Sequence, residues 1–145
     1  MTGISRAMAL DIGSVRVGVA VSDPMRITAN GVETYKRTGD DETDAKYLAG
    51  LANQYAPVTL VFGLPRNMNG TYGPQAEKTR EFAKIVAKHF DGEIDFYDER
   101  LSTAAAERVL LEADVSRKKR KNVIDKMAAV IILQGYLAYS SNRAR

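Results

Sequence analysis

The chain has 145 residues, 45% hydrophobic and 27% charged, with no cysteine and a single histidine, His89. It carries a formal net charge of +3 and a pI near 9.2. This composition suits one globular domain over residues 1–145 with its own core. It excludes disulfides, a thiol nucleophile and a multi-histidine zinc site, so any bound metal must lean on carboxylates, as Mg²⁺ or Mn²⁺ does.

Ala7 to Asp11 and Arg16 to Ser22 are apolar runs separated by Gly13 and Ser14, a spacing that predicts a hairpin. Gly31 to Lys36 is a third strand. A helix starts in the polar stretch Asp40 to Asp44 and runs to about Tyr55, with Leu48, Leu51, Ala52 and Tyr55 on one face and Pro57 after it. Val58 to Phe62 is a buried strand, and Gly63 to Gly73 a loop. A second helix spans Pro74 to about Phe90, with Phe82, Ile85, Val86 and His89 at helical spacing. Ile94 to Asp98 is a fifth strand. Ser102 and Thr103 cap a helix to about Ala113. Arg117 to Lys121 reads as a basic connector, and the last helix as Asn122 to Tyr139, apolar on most sides at Ile124, Met127, Ala128, Ile131, Ile132 and Leu133. Met1 to Ser5 and Ser140 to Arg145 read as loose ends. A hairpin followed by βαβ units predicts an α/β fold, a mixed five-stranded sheet flanked by helices.

Three acids stand in apolar settings: Asp11 at the end of the first strand, Glu99 at the end of the fifth, and Asp125 in the expected first turn of the last helix. A charged carboxylate in such a place needs a partner, and a metal ion is one. Two strand ends and a helix start converge readily at one sheet edge. Two ions there would activate a water and stabilise the leaving oxygen of a phosphodiester. Each acid also has a plain structural alternative. Asp11 forms a turn with Gly13, Glu99 pairs with Arg100 or Arg108, or Asp125 favours a helix dipole. Asp98 falls on the opposite strand face from Glu99, and His89 near a helix end reads as structural.

Arg117, Lys118, Lys119, Arg120 and Lys121 hold the whole positive excess, and the rest of the chain is slightly acidic. They suit a polyanionic partner or a solvated loop. Together with Arg16 they are the candidate nucleic-acid contacts. No apolar run is long enough to span a membrane, and Met1 to Arg6 lacks the build of a signal peptide, so a cytoplasmic protein is expected.

Four ordered motifs then resemble the YqgF/RuvX family. They are Leu10-Asp11-Ile12-Gly13 continuing to Arg16-Val17-Gly18-Val19-Ala20; Gly63-Leu64-Pro65 with Met68, Gly70 and Thr71; Asp98-Glu99-Arg100-Leu101-Ser102-Thr103; and Lys121 to Leu133. The resemblance covers nearly the whole chain. It implies an RNase H-like fold and a metal-dependent nuclease whose catalytic, metal-holding acids fall on Asp11, Glu99 and Asp125. It further implies maturation of the 5′ end of precursor 16S ribosomal RNA, with a ribosomal particle as a candidate partner, in preference to cutting four-way DNA junctions. Val15 stands where the family often has lysine, and Asn69 where it often has aspartate.

Three other readings remain at this stage. A junction resolvase would share the chemistry but should act as a two-fold homodimer, and the sequence leaves monomer or homodimer open. A non-catalytic RNA-binding module would rest on the basic run alone. A sugar-kinase or actin-like ATPase also opens with a D-x-G hairpin, but clamps nucleotide between two such domains.

Overall fold

Small side chains on one face of the first two strands, and large ones on the other, decide how close each helix comes to the sheet. A computed structural model describes residues 5–65, 73–98 and 117–143, with the side chains of the last helix described over residues 125–140. The strands are β1 (Arg6–Ile12), β2 (Arg16–Ser22), β3 (Ala29–Lys36), β4 (Val58–Leu64) and β5 (Glu93–Asp98). The helices are α1 (Asp41–Asn53), α2 (Pro74–Ala87) and α3 (Arg117–Arg143). The sheet order is β3-β2-β1-β4-β5. β1, β2 and β3 form an antiparallel meander, and β4 and β5 add in parallel beside β1. This is the mixed five-stranded α/β sheet expected from the sequence.

Met8, Leu10 and Ile12 of β1, Val17, Val19 and Val21 of β2, and Val58, Leu60 and Phe62 of β4 point to one side. There they bury Leu48, Ala49 and Ala52 of α1 and Phe82, Ala83 and Val86 of α2. Strand alternation sends Ala7, Ala9, Ala20 and Val61 to the other side, against Ala129, Ile132, Leu133, Tyr136 and Leu137 of α3. The alanines let α3 lie close to the sheet, and the branched residues fill the wider gap under α1 and α2.

Local chemistry sets the helix ends. The Asp40 carboxylate caps α1 by accepting the Thr43 amide at 3.0 Å, and Asp41, Glu42 and Asp44 crowd the positive end of its dipole. α2 starts with Pro74 in its first turn. His89, just beyond α2, sits 2.9 Å from Glu42 of α1, the structural role expected for it.

Four expectations about the last helix change. The basic run is no connector: residues 117–121 form the first turns of α3, because lysine and arginine are good helix formers and nothing between them and the apolar stretch breaks the helix. The same helix continues through Arg143, so Ser140 to Arg143 are not a loose end. Asp125 is therefore the ninth residue of α3, beyond reach of the terminal dipole, and that explanation for its position falls. Met127 is exposed although its neighbours Ala128 and Ala129 are buried. The expected helix 102–113 lies outside the described residues. Among the described residues no helix is long and apolar enough to cross a membrane.

Candidate active site

A glycine brings two of the three expected acids together. Asp11 follows Ala7 and Ala9 on the α3 face of β1, and its register partner on β2 is Gly18. A Cβ at Gly18 would collide with the backbone carbonyl of Asp125, so α3 crosses the sheet with Asp125 directly over that residue. Only glycine permits so close an approach of helix backbone to strand. The far half of α3 is fixed separately. The Tyr136 hydroxyl donates to Asp95 of β5 at 2.9 Å, and its ring meets Tyr97 edge-on at 6.2 Å. Burial, then the bond to Asp95, pushes the Tyr136 hydroxyl pKa up to about 12, so it stays a proton donor. Held at two points, α3 cannot slide, and the position of Asp125 is set.

Asp11 and Asp125 line one cavity of about 250 Å³, together with Ile12, Gly13, Ser14, Gly63, Pro65 and Gln75. It opens beyond the C-terminal ends of the parallel strands β1 and β4. The chain leaves these in opposite directions, toward β2 from β1 and toward β5 from β4, which is where open sheets form clefts. Gly63 belongs to β4 rather than to the loop expected from the sequence. The turn after Asp11 is tightly built. Gly13 donates its amide to the Arg16 carbonyl at 2.9 Å, and a Cβ on Gly13 would stand 2.7 Å from that oxygen.

The other expected residues divide. Arg16 opens β2, half-buried, and closes this turn through its backbone. Glu99 lies outside the described residues. It follows directly on β5, where Asp98 alternates with Tyr97 and so takes the face away from α3. Residues 117–121 precede Asp125 on one helix, about 6 to 12 Å from it along the axis. Among the described residues no group of three acids or histidines is arranged to hold a metal ion. The two carboxylates that share the cavity are hard oxygen donors of the kind Mg²⁺ and Mn²⁺ take, so the residues present fit such an ion.

Three contributors escape a sequence reading centred on acids. Gln75 reaches from α2 to the Ile12 carbonyl at 3.3 Å. Arg37 holds the Gly13 carbonyl at 2.9 Å. Gly18 did leave a signal, since a glycine inside the run Val17-Gly18-Val19 marks a place where another backbone comes near. Gly18→Ala is expected to push α3 off β2, lowering stability by about 1–3 kcal/mol and moving Asp125 away from Asp11. Denaturant unfolding together with a cleavage assay checks this. A variant with wild-type stability and rate would show that the helix does not depend on that contact.

The sheet and its three described helices have the RNase H-like arrangement. The structure of T. thermophilus RuvC in complex with a Holliday junction substrate superposes with a TM-score of 0.52 at 11% identity, over 93% of this chain and 96% of that one. A family model described as "RuvX: Holliday junction resolvase" matches residues 5–139. Curated relatives named "Putative pre-16S rRNA nuclease" are 54% identical over 137 residues in Clostridioides difficile and 52% identical over 136 residues in Halothermothrix orenii, each covering 94% of this chain and 96% of the relative. The chain belongs to the RuvX family.

Proposed function

We propose that this chain is a metal-dependent nuclease that matures the end of precursor 16S ribosomal RNA in the cytoplasm. The observation that carries the reading is the convergence of Asp11 and Asp125, from a strand end and a helix interior, on one small cavity. Glu99, next in the chain after β5, is the third ligand in this reading. The three acids would hold Mg²⁺ or Mn²⁺, which supplies an activated water and stabilises the leaving oxygen. The chain's own residues fix the geometry. Gly18 seats Asp125, the turn 13–16 follows Asp11, and Gly63 lines the cavity near the end of β4. The RNA substrate rests on the names carried by relatives at 50–54% identity.

The basic run fits the same reading. Five positive residues in the first turns of α3 oppose the helix dipole, an arrangement that costs stability until an anion is bound there. Their distance from Asp125 suits contact with the phosphates flanking the cut. Replacing Arg117 to Lys121 with glutamine should weaken RNA binding and flatten the slope of log affinity against log salt by as much as ~3.5. Filter binding across a salt series measures it, and an unchanged slope would mark the run as a solvated helix end.

A second reading is cutting of four-way DNA junctions, favoured by the description of the family model. Precursor 16S RNA and a four-way junction, offered side by side with Mg²⁺ or Mn²⁺ and Asp11→Asn as control, separate the two. RNA cut by a monomer, and lost in the variant, supports the proposal. Symmetric cutting of the junction alone, by a two-fold dimer, overturns it in favour of the second reading.

A further inference from the structure

One side chain outside the cavity holds the turn that follows Asp11 from behind. Arg37 comes immediately after β3, and its backbone amide donates to the Val15 carbonyl at 2.8 Å. Its guanidinium donates through Nη1 to the Gly13 carbonyl at 2.9 Å and through Nη2 to Asp41 at 2.7 Å. Its Nε lies 3.3 Å from Asp44, and its Cζ stands 4.7 Å over the Phe82 ring of α2. The side chain is only 15% exposed. Arg37 thus ties the turn 13–15 to both α1 and α2.

The anchor behind Arg37 is itself rigid. Asp44 is fully buried and also accepts from Tyr35, from the Thr38 amide and from the Thr38 hydroxyl. With Gln75 on the Ile12 carbonyl, the peptide carbonyls at 12, 13 and 15 are all held by groups from outside the hairpin. Arg37 does not line the cavity of Asp11 and Asp125. It walls a separate space of about 510 Å³ beside it. Its contacts run to the turn and to α1 and α2 rather than into the cavity of Asp11 and Asp125, so any effect on chemistry would pass through the backbone of the turn.

We propose that Arg37 is a positioning residue for the metal site, holding the turn 13–15 so that Asp11 presents its carboxylate in one fixed place. This rests on the reading of Asp11 as a metal ligand. Sites of this kind need their ligands fixed to a fraction of an ångström, and supporting contacts set that precision. Lysine cannot replace arginine here. A single ammonium cannot reach the Gly13 carbonyl and both carboxylates in the planar fork that guanidinium provides.

The test uses Arg37→Lys and Arg37→Met, with Val86→Ala as a control. Val86 is buried between α2 and the sheet, so its truncation loosens the same side of the core without touching the turn. Mn²⁺ affinity is measured by calorimetry, exchange of the Gly13 amide by NMR, and kcat and KM on the RNA. Both Arg37 variants should bind Mn²⁺ about 10- to 100-fold more weakly. They should also exchange the Gly13 amide faster and lose kcat with KM retained. Val86→Ala should melt earlier yet keep wild-type values for all of these. Wild-type Mn²⁺ affinity and Gly13 protection in Arg37→Lys overturn the proposal, as does an equal loss of affinity in Val86→Ala. Asp11→Asn, run alongside, identifies the other failure: Mn²⁺ bound there as in wild type overturns the metal reading itself, and the role of Arg37 toward it.

Discussion

Cleavage should fall by about 10³-fold or more in Asp11→Asn, the scale on which losing one member of a catalytic unit is felt. Asparagine keeps the shape of the side chain but has no charge to hold the ion. The fold should not suffer. Asp11 and Asp125 bring like charges to one cavity, so neutralising one should cost the metal-free fold nothing. The metal-free melting temperature should therefore hold or rise. Wild type should gain stability on adding Mg²⁺ or Mn²⁺, and the variant should gain less. A variant that is inactive and also melts earlier without metal would point to a structural role for Asp11 instead.

Asp44→Ala should produce the opposite pattern, a large loss of stability. The carboxylate is fully buried in the first turns of α1 and is satisfied by the Tyr35 hydroxyl at 2.8 Å, the Thr38 hydroxyl at 2.9 Å, the Thr38 amide at 3.0 Å and Arg37. Truncation leaves those donors, one of them charged, without their acceptor, at a cost of about 3–5 kcal/mol. The melting temperature should drop by roughly 10 °C. Burial by itself raises the pKa of this carboxyl, but the hydrogen bonds from Thr38, Tyr35 and Arg37 outweigh it and hold the group below the ordinary aspartate value. A depressed native pKa stabilises the fold above the unfolded value and ceases to do so as the pH falls through the native one. The margin of wild type over Asp44→Ala should thus stay constant from neutrality to about pH 4 and shrink below it. Urea unfolding at several pH values measures this. A margin that narrows between pH 7 and 5 would contradict it.

The sheet was legible because its strands alternate or run apolar between clear turn signals. Ala7 to Asp11, Arg16 to Ser22 and Val58 to Phe62 all fall inside observed strands. What misled was charge. Five consecutive positive residues look like a loop, yet lysine and arginine propagate a helix as well as most residues do, and α3 continues through them. That one error carried Asp125 to a helix start, when it lies two turns further in.

Of the candidate acids, Asp11 and Asp125 drew attention because a carboxylate amid apolar neighbours is costly, and these two line one cavity. Their supports were hidden for a physical reason. Arg37 and Gln75 act on backbone carbonyls of a turn distant in sequence, and no spacing rule encodes such a contact. Asp44 stood only as the end of the polar stretch where α1 starts, since its burial depends on the packing of α1 against β3 and cannot be told from composition. Gly18 was quoted only as part of a motif, although a glycine within a valine-rich strand already marks a close crossing.

The most direct test of the central claim is cleavage of precursor 16S RNA as Mg²⁺ is titrated back into metal-stripped protein, for wild type and for Asp11→Asn, Glu99→Gln and Asp125→Asn. Wild type should be silent in chelator and recover with added ion, while each variant stays at least ~10³-fold slower at every concentration. Cutting by wild type in chelator, or a wild-type rate in Asp125→Asn, would contradict it.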